Sequence, residues 1–168
     1  QIAPCVCQIR IINLNHALGT NAAIRTEGDV AHANQLLGRE YTLAGEIVKG
    51  FQVGRTIGYP TANIAYDGCR MLPKDGVYAA TVSVDNNPYN AMLYIGSRPT
   101  VNTGKISVEA YLFDFSGDIY GKKVTVSFVE RVRESIKFDS VEELKQQLKK
   151  DEIDVSNILA TNILTTKS

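Results

Sequence analysis

The sequence is short of most features that would mark a specialised class. Lys and Arg together count 18 among 168 residues and Asp and Glu also 18, so neither sign of charge is in excess. A protein built to hold nucleic acid needs a cationic surplus to displace phosphate counterions, and one held at an anionic membrane needs a polybasic patch. No nucleic-acid and no membrane partner is therefore expected. No apolar run approaches the ~20 residues of a membrane helix. Cysteine is scarce: Cys5, Cys7 and Cys69 are an odd number without framework spacing, a poor disulfide scaffold that suits a reducing cytoplasm. Cys5-x-Cys7 would need two further ligands to hold a metal, and His16 and His32 stand in no ligand-like spacing to it. Repeats and low-complexity stretches are missing, and the first twenty residues lack the charged start and apolar core of a signal peptide. The chain starts on Gln1, and so reads as trimmed or as part of something longer.

What is present is ordinary globular material, 44% hydrophobic and 21% charged. The length fits one domain, enough to hide roughly two-thirds of the unfolded surface. A helix is expected over Asp29–Leu37: Asp29 caps it, Val30, Ala33, Leu36 and Leu37 form its apolar stripe, and Gly38 suits the position past its end. From Tyr41 the pattern becomes β. Tyr41–Val48 reads as a strand, Gly50–Pro60 as a long turn-rich connection and Val77–Val84 as a second strand. Asp85-Asn86-Asn87-Pro88 reads as a turn, and Tyr89–Ile95 as the returning strand. Ser97–Lys105 is a polar loop, Ser107–Phe115 a strand, Ser116-Gly117-Asp118 a turn and Lys123–Val129 a cleanly alternating strand. No helical period separates these strands, which argues against parallel βαβ units and favours a small antiparallel barrel or sandwich. Ser140-x-x-Glu143 is a capping box opening a helix whose stripe of Val141, Leu144 and Leu148 would cover the barrel, with a weaker pattern continuing through Ile153, Ile158 and Leu159.

Two places carry chemistry. Period-2 alternation in Ser107–Phe115 puts Glu109 on one face with Tyr111, Phe113 and Phe115. A carboxylate among rings is costly unless paired or near a barrel mouth, and desolvation there makes it a stronger base; an edge salt bridge is the plain alternative. The second is the run from Lys49 to Asn63, with Gly50, Gly54 and Gly58 in nine residues. Glycines let backbone approach a ligand and expose amide donors, as phosphate-binding loops do, although an ordinary β connection also explains them. It is neither a Walker loop, because the Gly-Lys-Ser/Thr ending is missing, nor a dinucleotide fingerprint. Thr61 and Asn63 offer two neutral oxygens at i and i+2 of an extended segment, a donor type that Mg²⁺ accepts when phosphates and water complete its shell.

Taken together, Gly54-Arg55-x-x-Gly58-x-Pro60-Thr61-Ala62-Asn63, Pro73-x-x-Gly76-Val77-Tyr78, Ile95-Gly96-x-Arg98-Pro99-Thr100, Glu109, Asp118-x-Tyr120-Gly121 and Arg133-x-x-x-Lys137-Phe138 resemble riboflavin kinase. The similarity is to the C-terminal kinase module of the bacterial bifunctional riboflavin kinase/FAD synthetase, and runs from about Leu37 to about Asp151. It implies a mainly β fold, a compact antiparallel Greek-key β-barrel with an N-terminal lead-in helix and a C-terminal helix. It implies transfer of the γ-phosphoryl of ATP to the 5′-hydroxyl of riboflavin. By that resemblance Glu109 is the catalytic base, Thr61 and Asn63 hold Mg²⁺, and Gly50 and Arg55 meet nucleotide phosphates. Leu112, Asp114 and Tyr120 fall at nucleotide-contacting positions, where a core Leu, a turn-flanking Asp and a packed Tyr are equally good readings. Arg133 and Phe138 match flavin-side positions, and Ser97-Arg98-Pro99-Thr100 resembles a loop beside the flavin.

The departures bear on domain organisation. Bifunctional relatives carry an N-terminal adenylyltransferase domain whose nucleotide motif this sequence lacks, so FAD formation is not expected of it. Ile24 through Leu37-Gly38-Arg39 resembles the final helix leading out of that domain into the kinase, and residues 1–23 match nothing recognisable. The expected division is a lead-in at 1–38 and a kinase domain at 39–168, with small-molecule partners, a cytoplasmic location and a longer bifunctional chain as its context. A catalytically inactive barrel that binds flavin or nucleotide is the alternative reading.

Overall fold

The computed structural model describes residues 14–50, 53–66, 68, 71–97 and 106–165. The three cysteines, Phe51 and Gln52, and Arg98 to Lys105 of the expected polar loop, with them Arg98-Pro99-Thr100 of the flavin-side match, lie outside them.

Six strands close into a barrel: β1 (Tyr41–Val48), β2 (Ala62–Ala65), β3 (Gly76–Val84), β4 (Asn87–Ser97), β5 (Ile106–Leu112) and β6 (Lys123–Arg133), in the spatial order β1-β2-β5-β4-β3-β6. Every neighbouring pair is antiparallel. β3, β4 and β5 form a meander and β6 returns beside β3, which is the Greek-key arrangement. Inward-facing Leu43, Ile47, Ile64, Tyr78, Val82, Leu93, Val108, Val126 and Phe128 fill the barrel, and small Ala80, Ala91 and Ala110 leave them room. The β3–β4 turn is tighter than the pattern implies. Val84 pairs with Asn87, so only Asp85 and Asn86 turn, with φ of 50° and 66°, the left-handed pair that a two-residue hairpin requires. Pro88 is thereby a strand residue opposite Ser83. The β4–β5 ladder begins only at Ala91, so the amide hydrogen that proline lacks is not needed on that edge.

Helices flank this barrel: α1 (Leu14–Ala22), a π turn over Ala23–Glu27, α2 (Val30–Leu37), short α3 (Val53–Thr56) and α4 (Val141–Thr165). α2 begins and ends where its caps predict. Asp29 Oδ1 accepts from the His32 amide at 2.8 Å, and Gly38 turns left-handed at φ 66°. The preceding helix was not legible, and Gly28 (φ 71°) breaks it from α2. A side chain at Gly28 would also strike Arg131 and the Tyr78 hydroxyl. Ala23, Ile24, Val30 and Ala33 of this lead-in pack into the same buried cluster as the barrel. The Lys74 amide donates to the Ile24 carbonyl at 3.0 Å, and Arg131 donates to the carbonyls of Glu27 (3.5 Å) and Asp75 (2.6 Å).

α4 lies over β3, β4 and β6 on the outside of the barrel. Its capping box forms with a shift of one residue: Ser140 Oγ accepts from the Glu143 amide, but Glu143 Oε2 accepts from the Asp139 amide rather than from that of Ser140. The residues that cover the barrel also differ from expectation. Leu148, Ile158 and Leu159 of the expected pattern pack on the barrel, joined by Val155, whereas Val141 is 50% and Ile153 55% exposed. The first turns of α4 therefore run past the sheet and its second half does the covering. β6 prepares that surface. Its register with β3 slips twice, so that Val129 and Val132 are extra residues, and both join the outer cluster under α4. The bulges explain why the observed strand runs to Arg133, beyond the clean alternation that stops at Val129.

Candidate active site

β5 ends at Leu112, earlier than expected, and this sorts its aromatic residues. Glu109, Tyr111 and Phe113 face outward, the two rings joining the outer cluster, while Phe115 turns back to pack edge-on against Tyr89 at 5.0 Å. Phe115 is therefore not on the Glu109 face. Directly across the sheet from Glu109 stand Asn63 of β2 and Tyr94 of β4. Paired residues of an antiparallel ladder project to the same side, so Asn63, Glu109 and Tyr94 form a row with the carboxylate in the middle.

On the Asn63 flank, the Thr61 hydroxyl donates to Glu109 Oε2 at 3.2 Å. A Cβ at Gly50 would overlap the Asn63 side-chain amide, so the absence of a side chain at Gly50 gives Asn63 its place. Gly54 is similarly constrained: its carbonyl accepts from the Tyr59 amide at 2.8 Å, and a Cβ there would strike the Tyr59 carbonyl. Beyond Thr61 opens a pocket of about 620 Å³, with Arg55, Thr61, Leu112, Asp118 and Tyr120 in its lining. Arg55 is exposed, Leu112 belongs to both barrel core and pocket wall, and Lys49 Nζ lies 5.8 Å from the centre of the Tyr120 ring. Asp118 Oδ1 accepts from the Tyr120 amide at 3.0 Å and so shapes that rim. Asp114 is exposed in the turn after β5 with φ 53°, and is not among the residues lining the pocket.

On the Tyr94 flank lie Arg133 and Phe138. Arg133 ends β6 and its guanidinium is committed to Asp151 of α4: Nε reaches both carboxylate oxygens at 2.9 and 3.0 Å, and Nη2 reaches Oδ2 at 2.7 Å. The Asp151 side chain is 1% exposed and also accepts from Gln147 Nε2 at 2.8 Å. Arg133 further donates to the Glu134 carbonyl at 2.9 Å and stands 5.9 Å from the Phe138 ring. The Tyr94 hydroxyl meets Ser135 Oγ at 3.0 Å. Tyr59, on the segment leading to Thr61, packs edge-on against Tyr111 at 5.1 Å and donates to Glu152 Oε2 at 3.2 Å. Burial first, then the Glu152 carboxylate, pushes the Tyr59 phenol up from its ordinary value; the same order of causes raises Tyr111.

The sequence-derived residues thus fall in two groups about one carboxylate. Arg55, Thr61, Leu112 and Tyr120 line the pocket; Gly50, Asn63 and Glu109 do not, and Thr61, bonded to Glu109, joins them to it. Arg133 and Phe138 lie toward β6 and α4. Tyr94 and Asp151 were not anticipated, and Asp118 stood out only within the Asp118-x-Tyr120-Gly121 motif. Asp151 had a signal: at helical spacing it shares the stripe of Leu148, Val155 and Leu159, and a carboxylate on an apolar stripe is the same anomaly that marked Glu109.

Barrel and site together define a class of small Greek-key barrel that carries a carboxylate between Thr61 and Asn63 on one side and Tyr94 on the other. The family model for riboflavin kinase, or flavokinase, matches residues 37–159, and the chain belongs to that family. It is similar to the bifunctional riboflavin kinase/FMN adenylyltransferase of Bacillus subtilis, 38% identical over 138 residues, which are 79% of this chain and 44% of that protein. Among solved structures, a riboflavin kinase from Trypanosoma brucei matches with a TM-score of 0.54 and 28% identity, over 71% of this chain and 79% of that one. A Streptococcus pneumoniae protein described as a macrolide-efflux protein matches with a TM-score of 0.78 and 39% identity, over 84% of this chain and 46% of that one. The chain spans less than half the length of the B. subtilis relative. Among the described residues no helix is long and apolar enough to cross a membrane.

Proposed function

We propose that the chain is a riboflavin kinase, transferring the γ-phosphoryl group of ATP to the ribityl 5′-hydroxyl of riboflavin to give FMN and ADP. The observation that carries this reading is the row Asn63–Glu109–Tyr94, which sets a carboxylate between an amide side chain and a phenol, with Thr61 joining it to the pocket. In the transfer, the riboflavin hydroxyl oxygen attacks the γ-phosphorus, the bond to the β,γ-bridging oxygen breaks, and Glu109 takes the hydroxyl proton. Such a reaction needs alignment and charge neutralisation more than covalent help from the protein. Gly50, Arg55, Leu112 and Tyr120 serve the nucleotide side, with Asp114 at its outer turn; Arg133 and Phe138 serve the flavin side.

The donor set suits Mg²⁺. Thr61 and Asn63 would hold the ion through a hydroxyl and an amide oxygen, hard neutral donors next to Glu109 in the sheet, with phosphate oxygens and water supplying the remaining ligands. Bound there, the ion would neutralise charge on the transferred phosphoryl group.

We assign catalysis to residues 39–168, with 1–38 as a lead-in whose Ala23, Ile24, Val30 and Ala33 add to the domain's core. FAD formation is not assigned to this chain. The test is a chromatographic assay with riboflavin, ATP and Mg²⁺ that follows FMN and FAD separately. FMN without FAD is expected. Glu109→Gln should slow FMN formation by roughly 10²–10⁴-fold, the usual worth of a general base. Tight riboflavin binding without product would replace this reading with that of an inactive flavin-binding barrel.

A further inference from the structure

α4 presents two adjacent acids, Asp151 and Glu152, to two different parts of the site. Successive residues of a helix point about 100° apart, so neighbours on one turn can grip separate elements. Asp151 holds Arg133, which in turn touches both ends of segment 134–138, the Glu134 carbonyl and the Phe138 ring. Glu152 holds the Tyr59 hydroxyl. Tyr59 closes the turn back to Gly54 and is joined through rigid Pro60 to Thr61, whose hydroxyl touches Glu109. One turn of α4 therefore reaches both the flavin-side and the nucleotide-side segments. Stability alone does not require acids here, because well-packed apolar residues can replace a buried ion pair at no loss. A hydrogen-bonded carboxylate supplies direction, which an apolar contact does not.

We propose that Asp151 and Glu152 are positioning residues, the first setting Arg133 and Phe138 for the flavin and the second setting Tyr59 and Thr61 for the nucleotide, so that α4 aligns both substrates across Glu109. The proposal rests on the riboflavin kinase reading. It assigns to each acid an effect on one substrate only.

The experiment measures KM for riboflavin and for ATP, together with riboflavin binding by fluorescence quenching and ATP binding by calorimetry, in the full chain. Asp151→Asn should raise the riboflavin KM and Kd about tenfold, equivalent to one charge-assisted hydrogen bond, and leave the ATP values within about twofold. Tyr59→Phe should do the reverse on a smaller scale, raising the ATP KM about threefold, as for one neutral hydrogen bond. Glu152→Leu should match Tyr59→Phe, and Glu152→Gln, which keeps an acceptor, should shift the ATP KM less than Glu152→Leu does. If Asp151→Asn does not fold, Gln147→Leu removes a single partner of Asp151 and is read in its place, with a smaller shift confined to riboflavin. Both KM values moving together, or neither moving while Tm falls, would overturn the proposal. A wild-type chain that binds both substrates but makes no FMN sinks the kinase reading alone, since the split is still read in the two Kd values. A wild-type chain that binds neither sinks both.

Discussion

The two flanks of Glu109 are built by different means. Toward the pocket, the geometry comes from backbone: glycines at 50 and 54 admit the Asn63 amide and the Tyr59 carbonyl where any other residue would collide. Toward β6 and α4 it comes from side chains, with Arg133, Asp151 and Gln147 joined by hydrogen bonds and Tyr94 reaching Ser135. A backbone-built flank loses its function when atoms are added. A side-chain-built flank loses stability when atoms are removed. The contrast suits the proposed ligands: phosphates are gripped by amides and a metal at close range, whereas a large flat ring system needs a shaped wall.

The comparison is broken most directly at Asp151. Asp151→Ala leaves the Arg133 guanidinium, 15% exposed, without its carboxylate, a change that costs about 3–5 kcal/mol. At ~2–4 °C per kcal/mol for a chain of this size, thermal unfolding should show Tm falling by roughly 10 °C, and an unchanged Tm would refute the description of this flank as side-chain-built. Next comes Gly50→Ala. Its methyl group displaces the Asn63 amide, and a shift of that order at a reacting centre costs about 100-fold in rate, so FMN formation should fall by that factor while Tm changes little. The reverse pattern, a large loss of stability with intact turnover, would assign Gly50 to folding instead of to the site.

The smallest effect is an alkaline one. Burial pushes the Tyr78 phenol up to about 12, outweighing the pull of Arg131 in the other direction, and Tyr59 and Tyr111 are also raised. A raised phenol binds its proton more tightly when folded than when unfolded. The stability it contributes is therefore whole below about pH 10, the unfolded value, and is lost as pH climbs toward 12. Urea unfolding at pH 8 and at pH 11 should differ accordingly, and Tyr78→Phe should narrow the difference.

Much of this was legible in the sequence, for reasons that also explain what was not. Tyr41–Val48 and α2 match expectation because alternation and paired caps are local signals. β2 has four residues, too few to show a period, and was visible only as an extended segment holding Thr61 and Asn63. The bulges at Val129 and Val132 are set by pairing with β3, so no pattern within β6 reports them. Those bulges and the overrun of the first turns of α4 also decide which helical residues meet the barrel, and the stripe was accordingly placed too early. Glu109 stood out because a charge interrupts an aromatic face. Asp151 did not, because Lys149, Lys150 and Glu152 surround it and disguise a buried acid as a solvated run. Tyr94 sits in an ordinary alternating strand, and only the register of β4 on β5 puts it opposite Glu109.

The seam between β1 and β6 sets the order in which the molecule can be made. Tyr41 pairs with Phe128, and Glu46 with Lys123, so the first strand waits for the last one to be synthesised. Until then β1 has only short β2 beside it, and a long edge of unpaired backbone groups stays open while the meander of β3, β4 and β5 is already complete in the emerging chain. Pairings between such distant segments form slowly and leave edges open to other chains. The newborn chain should accordingly depend most on chaperones in the interval before β6 emerges.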